Sequence, residues 1–513
     1  MDLGSLPTRN ARHYGEREAL VFEDRRFSWR ELNARFNQTA NALRALGLRK
    51  GDKIALFLPN TLEIVDLYWA IAKVGAVAVP LSPLLRGPGL AALIRDSDAV
   101  ALVSCRDLAP EIDRVRDQLT AIPAARLLLT DEPGRPGWAD YAGLVASASP
   151  AEPPPSGVVP DDPYNIMYSS GTTGEPKGII HSHDIRAHYG MIFSGPWRMG
   201  GESVVIQSGS LVFNGAMLMF IPWMYNGAKL VLQRKFDPAL YLDALVREKA
   251  THGMMVPSQI VALLAHPEFT RDALASFETL LSVGAPLLLE HKERLNRLKP
   301  GMCCELYGLT EGGCATVLDR NDFLRKPGSV GAPLPFCVMK VVDETGQELP
   351  PRGIGEIIGT GTLMMLGYYK RPELTAQAIR DGWLHTGDVG YFDEEGFLYL
   401  VDRKKDMIIS GGVNVYPKDI EEIAAQHPAV RECAVFGVPD FKWGEAIHCA
   451  VILKPGEVVT PEALKEWINA RVSASFQRVR DVSIREDFPR NTAGKTLKRE
   501  MRAPFWADQT SRI

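Results

Sequence analysis

Residues 63–81 read EIVDLYWAIAKVGAVAVPL, and the apolar period changes once inside them. Ile64, Leu67, Tyr68 and Ile71 fall at helical spacing, Gly75 supplies a stop, and Ala76 to Leu81 form a short apolar run. The stretch reads as a helix feeding a buried strand. The same alternation recurs in VALVS from 100, RLLLT from 126, SVVIQ from 203, KLVLQ from 229, a helix over 238–249, HGMMV from 252 and LLSVG from 280. Strands separated by helices predict parallel-rich sheets with helices on both faces. The body of the chain is expected to be α/β.

Size and charge narrow the function. A chain of 513 residues with 46% hydrophobic content has room for three or four units of about 150 residues. Lysine and arginine total 58 against 62 acidic residues, a balance that argues against a nucleic-acid partner. The seven cysteines are odd in number and form no Cys-x-x-Cys pair, which speaks against a disulfide framework or a zinc site and for a reducing compartment. The N-terminus lacks the apolar core of a secretory signal. The longest apolar stretch, LVFNGAMLMFIPWMY over 211–225, is interrupted by Asn214, Gly215 and Pro222 and is too short for a membrane span. The chain ends on Ser511, Arg512 and Ile513, which is no peroxisomal address. A cytoplasmic protein is expected.

Texture changes along the chain divide it. ASASPAEPPPSGVVPDD over 146–162 has the composition of a surface linker between subdomains. From Val338 onward, VMKVVDETGQ, IGEIIG and GFLYLVDR read as a small β-rich subdomain. After Asp402 a short α+β unit follows, long enough to fold separately. The expected domains are 1–402 and 403–513.

Four strings carry chemistry. In MYSSGTTGEPKG, residues 167–178, small hydroxyl residues and glycines let donors surround a polyphosphate, and Lys177 adds charge; the same composition also makes an ordinary turn. In YGLTEGG, 307–313, Tyr307 offers a ring to a base and Glu311 a hard oxygen ligand for Mg²⁺; alone, Thr310 would read as a helix cap. In GWLHTGDVGYFDEEGFLYLVDRKKDMIISGGVNVYP, 382–417, Asp388 follows Thr386 and Gly387 in a tight turn suited to ribose hydroxyls, and Arg403 follows a strand. The fourth, PRNTAGKT over 489–496, ends like a P-loop, yet Pro489 stands where that loop needs a glycine amide. The Walker reading fails.

These strings, in this order, resemble the acyl-adenylate-forming family: acyl-CoA synthetases, adenylation domains of peptide synthetases and firefly-luciferase-like enzymes. The likeness runs from about Ala19 to Arg499. It implies a carboxylate that attacks the α-phosphate of ATP, with a thiol then taking the acyl group from the adenylate. It places Ser170, Thr172, Thr173 and Lys177 on the phosphates, Thr310 on the α-phosphate and Glu311 on Mg²⁺. Gly284, Ala285 and Tyr307 would line the adenine and acyl pockets, and Asp388 and Arg403 would hold the ribose. Lys495 would sit between two anions that repel by roughly 4 kcal/mol at 4 Å and an effective dielectric near 20. Gly411 and Gly412 resemble the strip lining the pantetheine tunnel, and Lys405 falls at the family's hinge, where a swing of the C-terminal domain exchanges the two faces.

Trp443 resembles the aromatic that packs on CoA in chlorobenzoate-type ligases, although a plain surface tryptophan is an equal reading. Gly308 stands where acetate-type enzymes carry a blocking tryptophan, so a longer chain or a ring is expected in the pocket. Val212 replaces the histidine of many relatives, which argues against a close analogy to aryl-acid enzymes that use it. The resemblance therefore implies an ATP-, Mg²⁺- and CoA-dependent ligase for a medium- or long-chain fatty acid or an aromatic acid, and allows a homodimer. The alternatives are a stand-alone adenylation enzyme loading a carrier protein and a catalytically silent adenylate-binding protein.

Overall fold

The computed structural model describes residues 2–169, 176–285, 287–403, 406–410, 413–440, 443–472, 474, 477–490 and 496–507. They divide into two compact units, residues 1–339 with 359–384, and residues 340–358 with 385–513.

Two large sheets form the first unit. One has eight strands in the order Gly367–Tyr368, Lys177–Ser182, Pro163–Ser169, Val77–Pro80, Lys53–Phe57, Ala99–Ser104, Leu127–Leu129 and Ala139–Asp140. The other has nine, in the order Ala332–Pro333, Ala315–Leu318, Cys303–Gly308, Thr279–Val283, His252–Met255, Val204–Gln207, Lys229–Leu232, Glu18–Phe22 and Arg25–Ser28. Their central pairings are parallel, as the helix-strand alternation requires.

The opening stretch is the helix Leu62–Val74 followed by the strand Val77–Pro80. Thr61 caps the helix by accepting from the Ile64 amide, and Gly75 ends it at φ 75°, a conformation open to glycine at no steric cost. The helix is buried on nearly every side. Trp69 lies against Phe220 and Trp223, with ring centroids 5.7 and 6.4 Å away. Phe220 and Trp223 belong to the helix Asn214–Asn226, so the long apolar stretch is a core helix. One continuous core unites residues of both sheets with these helices.

The segment expected to link subdomains does something else. Both its flanks belong to the eight-stranded sheet, so it returns the chain to the sheet it left. Its proline content keeps it irregular, but side chains fix it in place. Lys73 pairs with Glu152, Asn37 donates to the Pro150 carbonyl at 3.0 Å, and Asn41 donates to Ser149 and Ala151 at 2.8 and 2.9 Å.

Farther on, a five-stranded sheet runs Cys337–Val342, Gly355–Gly361, Trp383–Phe392 and Ile379–Arg380, with Leu398–Arg403 paired to Trp383–Phe392. The last sheet runs Val413–Val415, Ile408–Ser410, Gly444–Leu453 and Val430–Asp440, with Asp481–Ile484 paired to Gly444–Leu453. The helices Pro417–Ala425 and Pro461–Asn469 bury Ile420, Leu464 and Ile468 in its core. The expected β-rich segment is thus present, but 340–358 and 385–402 group with the C-terminal residues.

Candidate active site

In the first unit, three elements bring Lys177, Thr310 and Glu311 together. Lys177 opens the strand Lys177–Ser182. Thr310 and Glu311 lie in the turn between the antiparallel strands Cys303–Gly308 and Ala315–Leu318. No helix starts there, so the capping reading of Thr310 gives way to a hairpin turn. Gly312 and Gly313 close it at φ 68° and 70°. A Cβ on Gly312 would stand 1.8 Å from the Leu363 carbonyl oxygen, so the chain passes where only glycine fits.

The third element is the short strand Gly367–Tyr368, paired antiparallel with Ile179 and Ile180. Its Tyr368 hydroxyl donates to Glu311 Oε1 at 2.9 Å. Lys177 Nζ lies 4.9 Å from the centre of the same ring, a cation–π contact. Burial and the neighbouring carboxylate raise the Tyr368 phenol, so it stays protonated and donates. Tyr168, at the head of the glycine-rich string, donates to Asp96 at 2.7 Å, and Arg371 holds the other oxygen of Asp96 at 2.9 Å. The segment Gly367–Arg371 thus braces Glu311 directly and Tyr168 through Asp96.

A second polar cluster lies behind Thr310. His181 Nε2 donates to the Thr310 carbonyl at 2.8 Å; a carbonyl only accepts, so the proton sits on Nε2 and Nδ1 accepts. Arg186 supplies that bond at 3.2 Å. Its Nε donates to Asn165 Oδ1 and another nitrogen to Asn214 Oδ1, both at 2.8 Å, and its guanidinium lies 4.7 Å from the centre of the Tyr189 ring. Burial drives the His181 pKa well below the ordinary value and also lowers that of Arg186.

The predicted pocket residues Gly284 and Tyr307 follow Val283 and Leu306, register partners on parallel strands. Gly284, exposed at φ 94°, and Ala285 follow the strand Thr279–Val283. Gly215 faces Val283 and Met254, 3.9 and 4.0 Å from where its Cβ would be. Gly308 is exposed and Tyr307 half-buried, while Val212 is buried in the core.

In the second unit, Asp388 and Arg403 are register partners on neighbouring antiparallel strands. Asp388 is not in a turn as expected: it lies within Trp383–Phe392, where Gly387 at φ 70° kinks the strand. The Thr386 hydroxyl donates to Ile357 at 2.7 Å and accepts from the Asp388 amide at 3.0 Å. Trp443 is half exposed, and its amide donates to Asp440 at 2.9 Å. Ser170, Thr172, Thr173, Lys405, Gly411, Gly412 and Lys495 lie outside the described residues.

Sequence reasoning passed over Tyr368, His181 and Arg186. The available signals were a tyrosine pair after glycine in GYYKR, 367–371, and the run HSHDIRAHYG, 181–190, where charged side chains crowd a buried element.

The fold, with Lys177, Tyr368 and Glu311 gathered at one place in the first unit, is that of a nucleotide-dependent ligase class. The chain belongs to the AMP-binding enzyme family, which matches residues 7–369, with the AMP-binding enzyme C-terminal domain matching 419–495. It falls in the acyl-CoA synthetase branch and is an AMP-forming, ATP-dependent acid:CoA ligase. It is 34% identical to a feruloyl-CoA synthase from Amycolatopsis over 506 residues, 98% of this chain and 99% of that one. It is likewise 34% identical to the long-chain-fatty-acid–CoA ligase FadD13 of Mycobacterium tuberculosis, over 94% of each chain. Among solved structures, ATP-bound MatB from Rhodopseudomonas palustris superposes with a TM-score of 0.89 at 29% identity, covering 99% of both chains.

Proposed function

We propose that this chain activates a medium- or long-chain fatty acid, or an aromatic carboxylic acid, as its acyl-adenylate and transfers the acyl group to free CoA. The observation that carries the site reading is Glu311, whose one oxygen is fixed by Tyr368 beside Lys177. Among the described residues no cluster of three or more His, Cys, Asp or Glu could hold a metal alone. Mg²⁺ is commonly held by one or two carboxylates and the substrate phosphates, and Glu311 would be such a carboxylate. When bound, Mg²⁺ would neutralise charge on those phosphates.

The chain's own residues do the rest. Lys177, with Ser170, Thr172 and Thr173, binds the outer phosphates, and Thr310 holds the α-phosphate. Asp388 and Arg403 take the ribose, and Gly284, Ala285 and Tyr307 flank the base and the acyl group. Lys495 is assigned the role of bonding the attacking carboxylate and the α-phosphate, and a preorganised donor of this kind is worth about 10²- to 10³-fold in rate. The second step brings Gly411, Gly412 and Trp443 to the thiol by a swing of residues 403–513 about Lys405 relative to residues 1–402.

Exposed Gly308 supports a chain or ring larger than acetate. All seven cysteines are free, which supports placement in a reducing, cytoplasmic compartment. No helix among the described residues is long and apolar enough to cross a membrane. The test is product analysis over a panel of carboxylic acids with free CoA as the sole acceptor. Acyl-CoA and AMP from a fatty or aromatic acid are expected. Pyrophosphate release without acyl-CoA would turn the reading toward a carrier-loading enzyme, and reaction with acetate alone would overturn the open-pocket argument.

A further inference from the structure

Arg186 is completely buried, yet no carboxylate pairs with it among the described residues. Its partners are neutral: the amide oxygens of Asn165 and Asn214, the Nδ1 of His181, the sulfur of Met167 and the face of Tyr189. Elsewhere in the same unit buried charges are neutralised, Asp66 by Arg35 and Lys292 by Glu305. A buried cation is costly unless it is paired. Arginine meets part of that demand because its planar fork donates to several acceptors at once, but the net charge remains.

The position of that charge gives it a use. Arg186 reaches His181, and His181 donates to the backbone carbonyl of Thr310, the residue before Glu311. On its other side it holds Asn214, the first residue of the helix whose Gly215 lies against Val283, the residue before Gly284. One guanidinium therefore connects the Thr310 turn with the helix Asn214–Asn226. The reactants gathered there are a carboxylate and a triphosphate.

We propose that Arg186 is a positioning residue for adenylation, kept free of a carboxylate so that its charge opposes the reactants' negative charge through His181 and Thr310. The inference rests on the ligase reading above. A donor in direct contact with developing charge is worth about 10²- to 10³-fold. Arg186 acts through an intermediary, so a loss of about ten-fold is expected.

The test compares Arg186→Met and Arg186→Gln, which remove the charge, with Arg186→Lys, which keeps it. Acid-dependent pyrophosphate–ATP exchange, thioesterification of supplied acyl-adenylate and thermal midpoint are measured for each. Both neutral variants should lose about ten-fold in exchange per folded molecule, with thioesterification within about threefold of the parent. Arg186→Lys should recover most of the exchange. Arg186→Met strands the acceptors on Asn165, Asn214 and His181 and should lower the thermal midpoint, whereas Arg186→Gln keeps a donor for one of them, so exchange is compared per folded molecule. Unchanged exchange in the neutral variants, or a fall in both half-reactions that follows loss of folded protein, would make Arg186 a structural residue and overturn the proposal. If one neutral variant fails to fold, the other decides. Exchange in the parent protein separates the two readings: an active parent with active neutral variants sinks this inference alone, whereas an inactive parent sinks the ligase reading and this inference with it.

Discussion

Glu311 depends on a neighbour that lies 57 residues away, Tyr368. Partners that hydrogen-bond a metal ligand typically change metal affinity by about 10- to 100-fold. Tyr368→Phe keeps the ring over which Lys177 lies and removes only the donor. The Mg²⁺ concentration for half-maximal ATP binding, read by calorimetry, should rise by about ten-fold; an unchanged value would separate Tyr368 from the metal. Lys495→Ala should lower adenylation by about 10²- to 10³-fold while leaving thioesterification of supplied acyl-adenylate largely intact. Equal loss of both steps would remove the role given to Lys495. The sequence made Glu311 and Lys177 legible because each stands in a long contiguous string. Tyr368, His181 and Arg186 were not, because their meaning lies in contacts between separate elements.

Strands and helices followed the local pattern closely. The run 63–81 became a helix and a strand within a residue or two of the expected limits, because period and stop signal agree there. Two elements departed from expectation. Residues 146–162 carry a linker composition, but Lys73, Asn37 and Asn41 fix them from outside the segment. YGLTEGG looked capable of starting a helix, and it turns instead because Gly312 and Gly313 take left-handed φ. Gly312→Ala should destabilise the protein by about 2 kcal/mol or more, since its Cβ would meet the Leu363 carbonyl at 1.8 Å in a strained conformation. Gly346→Ala, also at positive φ but with nothing within 4 Å, should cost only about 1 kcal/mol. Urea unfolding of the two variants distinguishes these values, and equal effects would contradict the close approach at Gly312.

At the scale of the whole molecule, stability should depend on pH through buried imidazoles. His183 is fully buried, accepts from the Leu3 amide at Nδ1, and is pushed down to about 4. In the unfolded chain its pKa returns to about 6.5. Between those values the unfolded chain binds a proton that the folded chain refuses, so stability falls as pH drops from about 6.5 to about 4. The slope is about 1.4 kcal/mol per pH unit for one such group. His183→Asn, which keeps an acceptor for the amide, should flatten the unfolding free energy across that window relative to the parent; parallel curves would contradict the assignment.

The central claim is that the chain joins a carboxylate to AMP before any thiol is involved. Pyrophosphate–ATP exchange in the absence of CoA measures that step alone. The account predicts exchange that requires a fatty or aromatic acid together with Mg²⁺ and is absent without the acid. No exchange from folded protein with any acid of the panel, or exchange that proceeds equally well without one, would contradict it.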